Sequence, residues 1–545
     1  MKKLKFLLLA LFGILCAGAM FVNSSSFTDR YILPKWLFTF IWLAVIGIVF
    51  SLILLNNKTY SYHYRTVNII ITSLCFLQAG YGIFKCDNIL PRYSEIYQIT
   101  GTFDNTAGFA GCLCIGFPFC FYFLRKGYNK RIQWLVWGIF SVICIAIFLS
   151  ESRAGWMCVL LIGSIHLICR DMYKLQNKKQ IISFIVSLSI LMFSIIILCI
   201  VSYHWKKDSA DGRLLIWRCT WEMIKDKPIT GYGIGAFEAH YMDYQAKYFE
   251  EHTDSRFAKL ADNVKHPFNE FLSIGVQFGV IGWILLLALG IFLVYCYRRH
   301  PSAEGYVSLL SLLSIAVFSF FSYPFTYPFP WIIAILSICV LIGRSYADLR
   351  ITKTYLIRKG IATCLLVASM FLLFAVGNRI KAEIDWRKIS RLSLQGQTHA
   401  MLPHYQKLLS TLDQEPYFLY NYAAELCVNK RYKDCLKIAS ACRNYWADYD
   451  LELLQAEAHI GLKQYEEAKF HLEKATRMCP IRFIPLYRLH YVYKKMRNEK
   501  EANRLARLII EKPVKVDSDI VRKIKREMNL YAVSYTHLRA HETGA

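Results

Sequence analysis

Acidic residues are scarce in this chain: 39 Asp and Glu stand against 65 Lys and Arg, and charged residues of either sign make up 19% of 545 positions. The resulting net charge of +26 invites a nucleic-acid reading. Much of the excess, however, falls in short stretches between hydrophobic runs, where membrane topology and anionic lipid account for it, and no nucleic acid is expected as a partner. Cys427, Cys435, Cys442 and Cys479 lack the Cys-x-x-Cys spacing of a metal site. The alternate glycines Gly231, Gly233 and Gly235 follow no βαβ pattern, which argues against a dinucleotide cofactor. Nor do two internal halves related by a repeat stand out, as a transporter would show.

What the chain has in abundance is apolar sequence. Hydrophobic residues reach 55% and mean hydropathy is +0.31, in runs that suit a membrane protein. A spanning helix needs roughly 20 apolar residues. Fitting segments lie near 4–22, 36–55, 67–84, 106–124, 133–150, 154–169, 181–203, 269–297, 305–322, 331–343 and 360–377, about eleven in all. Most of the 18 cysteines lie inside such segments, where they pack as small apolar residues. Positive loops stay in the cytoplasm. Arg125 to Arg131, Arg170 to Lys179, Arg298 with Arg299, and Arg344 to Lys359 all fall on one side. The N-terminus is therefore expected inside, and the loop 204–265 and everything after 378 outside. Ala17-Gly18-Ala19 also permits a signal-peptide reading of the first segment, which would lower the helix count by one.

From residue 381 the pattern becomes charged, aromatic and alanine-rich with a period near 34, the length of a two-helix tetratricopeptide-type repeat. Ala424 pairs with Ala458, Leu419 with Leu453, and Ala468 with Ala502; Pro480 and Pro513 close their units. Two full units and part of a third are visible, and such units need stacked neighbours. The expected organisation is an all-α chain: a polytopic membrane bundle over 1–380 with a large outer loop at 204–265, then a helical-repeat domain over 385–530. Residues 533–545 break the repeat and look like a non-native, adapter-derived tail. A repeat domain usually holds a peptide or protein partner in a groove; a plain spacer is the alternative.

The outer loop holds more than a tether needs. Leu214, Trp217, Trp221 and Ile224 share one helical face and Arg218, Glu222 and Lys225 the other, so this stretch is expected to lie in the membrane interface with its tryptophans down. Lys265-His266-Pro267-Phe268-Asn269-Glu270 then leads into a membrane helix through Gly275, Gly279 and Gly282. Asn105, Asn269, Glu270 and Gln277 are polar groups at or inside membrane helices, costly unless they face a cavity or a partner helix.

Gly101-Thr102-Phe103-Asp104-Asn105, Ser152-Arg153-Ala154-Gly155, Gly212-Arg213 through Gly235 and Phe237, and the stretch from His266 to Gly282, in that order, resemble the O-antigen ligase and Wzy-type polymerase family. The resemblance covers mainly residues 100–330, including Tyr323-Pro324-Phe325. It implies a membrane-embedded transferase of the bacterial inner membrane. Such an enzyme takes a glycan from an undecaprenyl diphosphate carrier on the periplasmic face and passes it to a hydroxyl on lipid A core, a protein or another glycan. No cofactor, nucleotide sugar or required metal is implied. The family signature places a histidine before Asn, Ser or Gln, then nine residues, then GxxG. Here Asn269 and Gly279-Val280-Ile281-Gly282 keep the spacing, but Phe268 takes the histidine's place and His266 stands two residues earlier. In an extended segment residues two apart point the same way, which would let His266 reach the same cavity.

The chemistry needs a cation for the diphosphate and a group to take or orient the acceptor proton. The planar arginine fork suits phosphate oxygens. Arg213, which matches the family's loop arginine, is the first candidate; Arg153 and Arg218 follow, with helix-end snorkelling and a lipid-headgroup contact as their alternative readings. His266 is the candidate base because its ordinary pKa lies near working pH; a helix-start histidine bonded to backbone is its alternative. Asn269 and Asn105 are supporting candidates, while His240 and His252 read as surface residues. An architecture with outer repeats tilts the reading from polymerase toward ligase. A scaffold whose membrane part merely anchors the repeats, or a polysaccharide transporter, are the rivals.

Overall fold

The computed structural model describes residues 2–55, 64–86, 99–125, 127–172, 206–346 and 355–543, with 186, 189, 193, 197, 200, 201, 203 and 204. Among these the chain is helical and without strands. It divides into two compact units, one of Met1–Trp205, Phe268–Phe271 and Ile284–Ile384, the other of Lys206–Pro267, Leu272–Trp283 and Asp385–Ala545.

The first unit contains α1 (Lys2–Phe21), α2 (Ile32–Leu55), α3 (Tyr64–Cys86), α4 (Thr106–Gly116), α5 (Cys120–Arg125), α6 (Lys130–Leu149) and α7 (Arg153–Met172). Seven helices among the described residues are long and apolar enough to cross a membrane, and three shorter apolar helices match the first, sixth and ninth expected segments. The seventh expected segment, 181–203, lies largely outside the described residues. At the centre runs α4, buried on every side from Gly108 to Gly116, with the small residues Gly108, Ala110, Gly111, Cys112, Cys114 and Gly116 among the larger Phe109, Leu113 and Ile115. Small side chains let helices approach until backbone carbonyls become acceptors. Ser311 Oγ accordingly donates to the Ile115 carbonyl at 2.8 Å, and Ser314 Oγ to that of Cys114. Outward-facing leucines, phenylalanines and isoleucines remain exposed along α3 and α6, as a lipid-facing surface requires.

The second unit begins with α8 (Lys207–Asp226) and α9 (Ala236–Glu251). Helix α10 (Glu270–Arg299) has residues in both units; α11 (Ala303–Ser319) and α12 (Pro328–Ser345) belong to the first, and the long α13 (Tyr355–Leu392) passes from the first into the second. The remainder is α14 (Thr398–Leu412), α15 (Pro416–Val428), α16 (Tyr432–Arg443), α17 (Tyr449–Gly461), α18 (Tyr465–Met478), α19 (Ile484–Lys495), α20 (Glu499–Glu511) and α21 (Asp519–Thr543).

Helices α15 to α20 form three successive hairpins, one more than the two full copies legible in the sequence. Each turns on a left-handed residue, Lys430, Lys463 and Arg497, spaced 33 and 34 residues apart. The next N–H in each case reaches back five residues, from Arg431 to Leu426, Gln464 to His459 and Asn498 to Tyr493, all at 2.9 Å, which closes the first helix with a Schellman motif. Cys435, Ala468 and Ala502 occupy the same wholly buried place in successive second helices, where only a small side chain fits between them and the preceding helix. The repeat-region cysteines are free thiols.

The segment 206–265 does not stand apart from the repeats. Arg443 donates to the Ala239 carbonyl at 2.8 Å and pairs with Asp243, which also receives Lys474 at 3.0 Å. Gln245 Nε2 donates to the Met478 carbonyl at 2.6 Å, and Arg482 pairs with Asp262 at 2.6 Å. Loop and repeats therefore make one folded body, a grouping that the linear boundaries at 204–265 and 385–530 do not express.

Candidate functional site

In the second unit, α8 carries two of the candidate arginines. Its core face consists of Leu215, Ile216, Cys219, Met223 and Ile224, turned against α9. The expected apolar face is thus rotated by about a residue: Ile224 is buried, but Leu214 and Trp221 are exposed at 43% and 45%, Trp221 stacking on Trp283. The reason is that two overlapping apolar stripes exist on this helix, and the one with the smaller side chains, Cys219 and Thr220, accepts the close neighbour. Arg213 and Trp217 lie one turn apart on a shared side. Trp217 Nε1 donates to the Pro267 carbonyl at 2.9 Å, which fixes the chain next to His266 against the Arg213 side of α8. Arg218 points elsewhere. It is exposed, its guanidinium 5.9 Å above the Tyr248 ring, in a hollow of about 400 Å³ that contains neither Arg213 nor His266.

His266 is partly buried, and that burial together with the charge of Lys265 pulls its pKa down from 6.5 to about 4. The imidazole is therefore neutral at working pH. Lys265 itself lies 4.3 Å above the ring of Tyr417 in the first repeat hairpin, so the repeats hold the segment that carries the histidine. His240 is half-buried beside Tyr232, where burial and Arg443 lower its pKa, while His252 is exposed and stacked on Tyr248.

The glycines of the loop have two distinct uses. Gly231, Gly233 and Gly235 all have positive φ, at 67°, 95° and 80°. Only at Gly231 does the chain also need a missing side chain, because it lies directly on the backbone of Gln277 and Phe278. Here α10 is interrupted: Gly279 has φ 60° and ψ −152°, a conformation closed to other residues. The freed groups are taken up by the loop. Tyr232 N–H donates to the Val276 carbonyl at 2.8 Å, Gly233 N–H to Gln277 at 3.0 Å, and Val280 N–H to Pro228 at 2.8 Å. The GxxG and the loop glycines, distant in sequence, are thus two halves of one joint.

In the first unit the Gly101-to-Asn105 turn is held from all sides. Thr102 Oγ1 donates to the Met20 carbonyl at 2.6 Å, and Lys35 Nζ to that of Thr102 at 2.9 Å. Asn105 caps α4 by accepting from Gly108 N–H at 2.8 Å, while its amide nitrogen donates to Asp104 at 2.9 Å, Tyr327 at 3.1 Å and Tyr323 at 3.3 Å. Tyr327 also donates to Asp104. Asn105 thus links helices. Asp104, which the sequence offered only as part of the family motif, and Tyr327, which it offered only within an aromatic run, complete that network. Arg153 opens α7 after a tight turn in which Glu151 has φ 53° and Ser152 Oγ accepts from Gly155 N–H at 3.2 Å. Asn269 accepts from Phe271 N–H at 2.9 Å. Phe268, in the place of the family histidine, has φ 53° and sets its ring edge-on to Tyr323, centroids 5.2 Å apart. The segment is consequently not extended at Phe268, and the two-residue alternation from His266 does not hold there. Among the described residues no three His, Cys, Asp or Glu converge as metal ligands.

Apolar spanning helices, a lipid-facing surface and a buried small-residue centre define a multi-pass membrane protein. Residues 137–287 match the O-antigen ligase family model, which bears out the resemblance drawn from the motifs. A Rickettsia typhi protein provisionally named a polysaccharide ligase is similar, 32% identical over 168 residues, 30% of this chain. The chain covers 39% of that relative's length.

Proposed function

We propose that this protein is a glycan ligase of the bacterial inner membrane. It transfers a glycan from an undecaprenyl diphosphate carrier to an acceptor hydroxyl, on lipid A core or on protein, at the periplasmic face. The N-terminus is cytoplasmic and the second unit periplasmic, in keeping with the distribution of Lys and Arg. The observation that carries the reading is the tie from Trp217, on the Arg213 side of α8, to the carbonyl beside His266, inside the segment that matches the ligase family.

In this mechanism the acceptor oxygen attacks the anomeric carbon, the bond from that carbon to the diphosphate oxygen breaks, and undecaprenyl diphosphate leaves. Arg213 neutralises the departing charge through paired N–H bonds. His266, neutral in the free protein, receives the acceptor proton. An imidazole with pKa about 4 is a weak base; a diphosphate bound nearby raises it, because opposite charge favours the protonated ring. The proton affinity of the base thus increases when the donor is in place. Arg153 and Arg218 are the further candidates for phosphate, and Asn105 and Asn269 the supporting residues, each acting within its own unit.

The test is glycan transfer in a strain lacking this protein, complemented with wild type, His266→Ala, Arg213→Ala or the two substitutions together. Each substitution is expected to abolish transfer at equal protein level. Full transfer by the double variant in cells that keep stable protein would overturn the assignment.

A further inference from the structure

Along α20, Lys500, Asn503, Arg504, Arg507, Leu508 and Glu511 follow one another at three- and four-residue intervals and form a single stripe. The opposite face, Ala502, Leu505, Ala506 and Ile509, is buried within the last hairpin. The stripe forms one wall of a groove of about 1040 Å³, whose other wall is the segment from Thr253 to Lys259 at the end of the outer loop. Arg256 and Lys259 add their charges from that side, against Asp254 and Glu511. Cations therefore outnumber anions on both walls, three to one along α20 and two to one along the loop. Of the arginines on α20, Arg504 is paired with Glu501 at 2.7 Å, on its own helix. At the base, Asn503 is 8% exposed, and its side-chain oxygen has no hydrogen-bond partner among the described residues. A buried acceptor left unpaired is costly, and it marks a place where a donor is expected.

We propose that this groove binds an acidic peptide segment of a partner protein. Carboxylates of the peptide pair with Arg504, Arg507 and Arg256, for which the planar guanidinium fork is suited. Ile481 and Leu508 receive a small aliphatic side chain between the acids. A sugar chain is the weaker fit, since the lining offers aliphatic and proline surface and no aromatic ring on which a pyranose face would stack. The groove is independent of the transfer chemistry, so its occupancy is tested without reference to glycan transfer.

The experiment uses the full-length protein in non-ionic detergent and a short fluorescein-labelled peptide of alternating Glu and Leu, read by fluorescence anisotropy. Binding is expected to weaken with salt and to fall at least about tenfold, about 1.4 kcal/mol, in Arg504→Gln/Arg507→Gln. The separate pair Lys259→Gln/Lys500→Gln is expected to weaken it in the same direction. Both variants should keep the wild-type unfolding temperature, which separates lost binding from lost fold. The proposal is overturned if the peptide does not bind, if the variants bind it as wild type does, or if a Lys and Leu peptide binds equally. It is also overturned if phosphatidylglycerol vesicles or oligogalacturonate compete through Arg504 and Arg507 at lower concentration than the peptide.

Discussion

Gly231 lies against the carbonyl of Gln277 so closely that a β-carbon on it would overlap that backbone. The contact joins the loop between α8 and α9 to the break in α10, and hydrogen bonds from Tyr232 and Gly233 continue it. Replacing Gly231 or Gly279 with alanine should therefore lower the unfolding temperature in detergent far more than Gly233→Ala, whose added carbon meets nothing. Gly233→Ala carries only the left-handed backbone cost of roughly 1–2 kcal/mol. Equal effects at all three positions would show that close approach is unimportant.

The histidine gives a pH signature whose sign follows from its depressed pKa. An unfolded His266 binds a proton near 6.5, whereas the folded one resists until about 4. Its contribution is fully present above 6.5 and is lost as pH falls toward 4. Unfolding temperatures of wild type and His266→Gln, measured between those values, should differ in slope, with the variant less sensitive to acid. For transfer, the same reasoning places the acid limb of kcat/KM below neutrality.

Arg213 and Arg218 should separate in activity. Arg218 is exposed and rests on Tyr248, so Arg218→Ala is expected to reduce transfer only a few-fold. Loss of a phosphate-holding arginine removes transition-state stabilisation worth on the order of 10²-fold or more. Arg213→Lys should rescue little, since an ammonium lacks the paired donors. Transfer assays at matched expression decide between them.

Arg443 holds the loop to the repeats through two contacts, the Ala239 carbonyl and Asp243. Arg443→Ala should cost about 1–3 kcal/mol by leaving a partly buried acceptor without its donor. Limited proteolysis is expected to cleave the loop near residues 227–235 faster in this variant than in wild type, while Arg431→Ala, an exposed pair with Asp434, should leave the rate unchanged.

The all-helical class, the apolar segments now seen as helices, and the 34-residue repeat were determined by the sequence alone. Hydrophobic run length and the recurrence of Ala468 and Ala502 are local quantities, set by bilayer thickness and by the packing space between paired helices. The family resemblance was equally legible, because it rests on the order and spacing of short motifs such as Gly231 to Gly235 and Gly279 to Gly282. Tertiary structure alone decided which stripe of α8 faces the core. Two stripes satisfy the same helical period, and only the neighbour α9 chooses between them. It also decided that Asn105 is saturated by Tyr323 and Tyr327, that Phe268 turns the chain away from extended geometry, and that Lys265 is held on Tyr417. Each of these depends on side chains that are distant in sequence and meet only once the helices pack, so no periodicity in the chain could have revealed them.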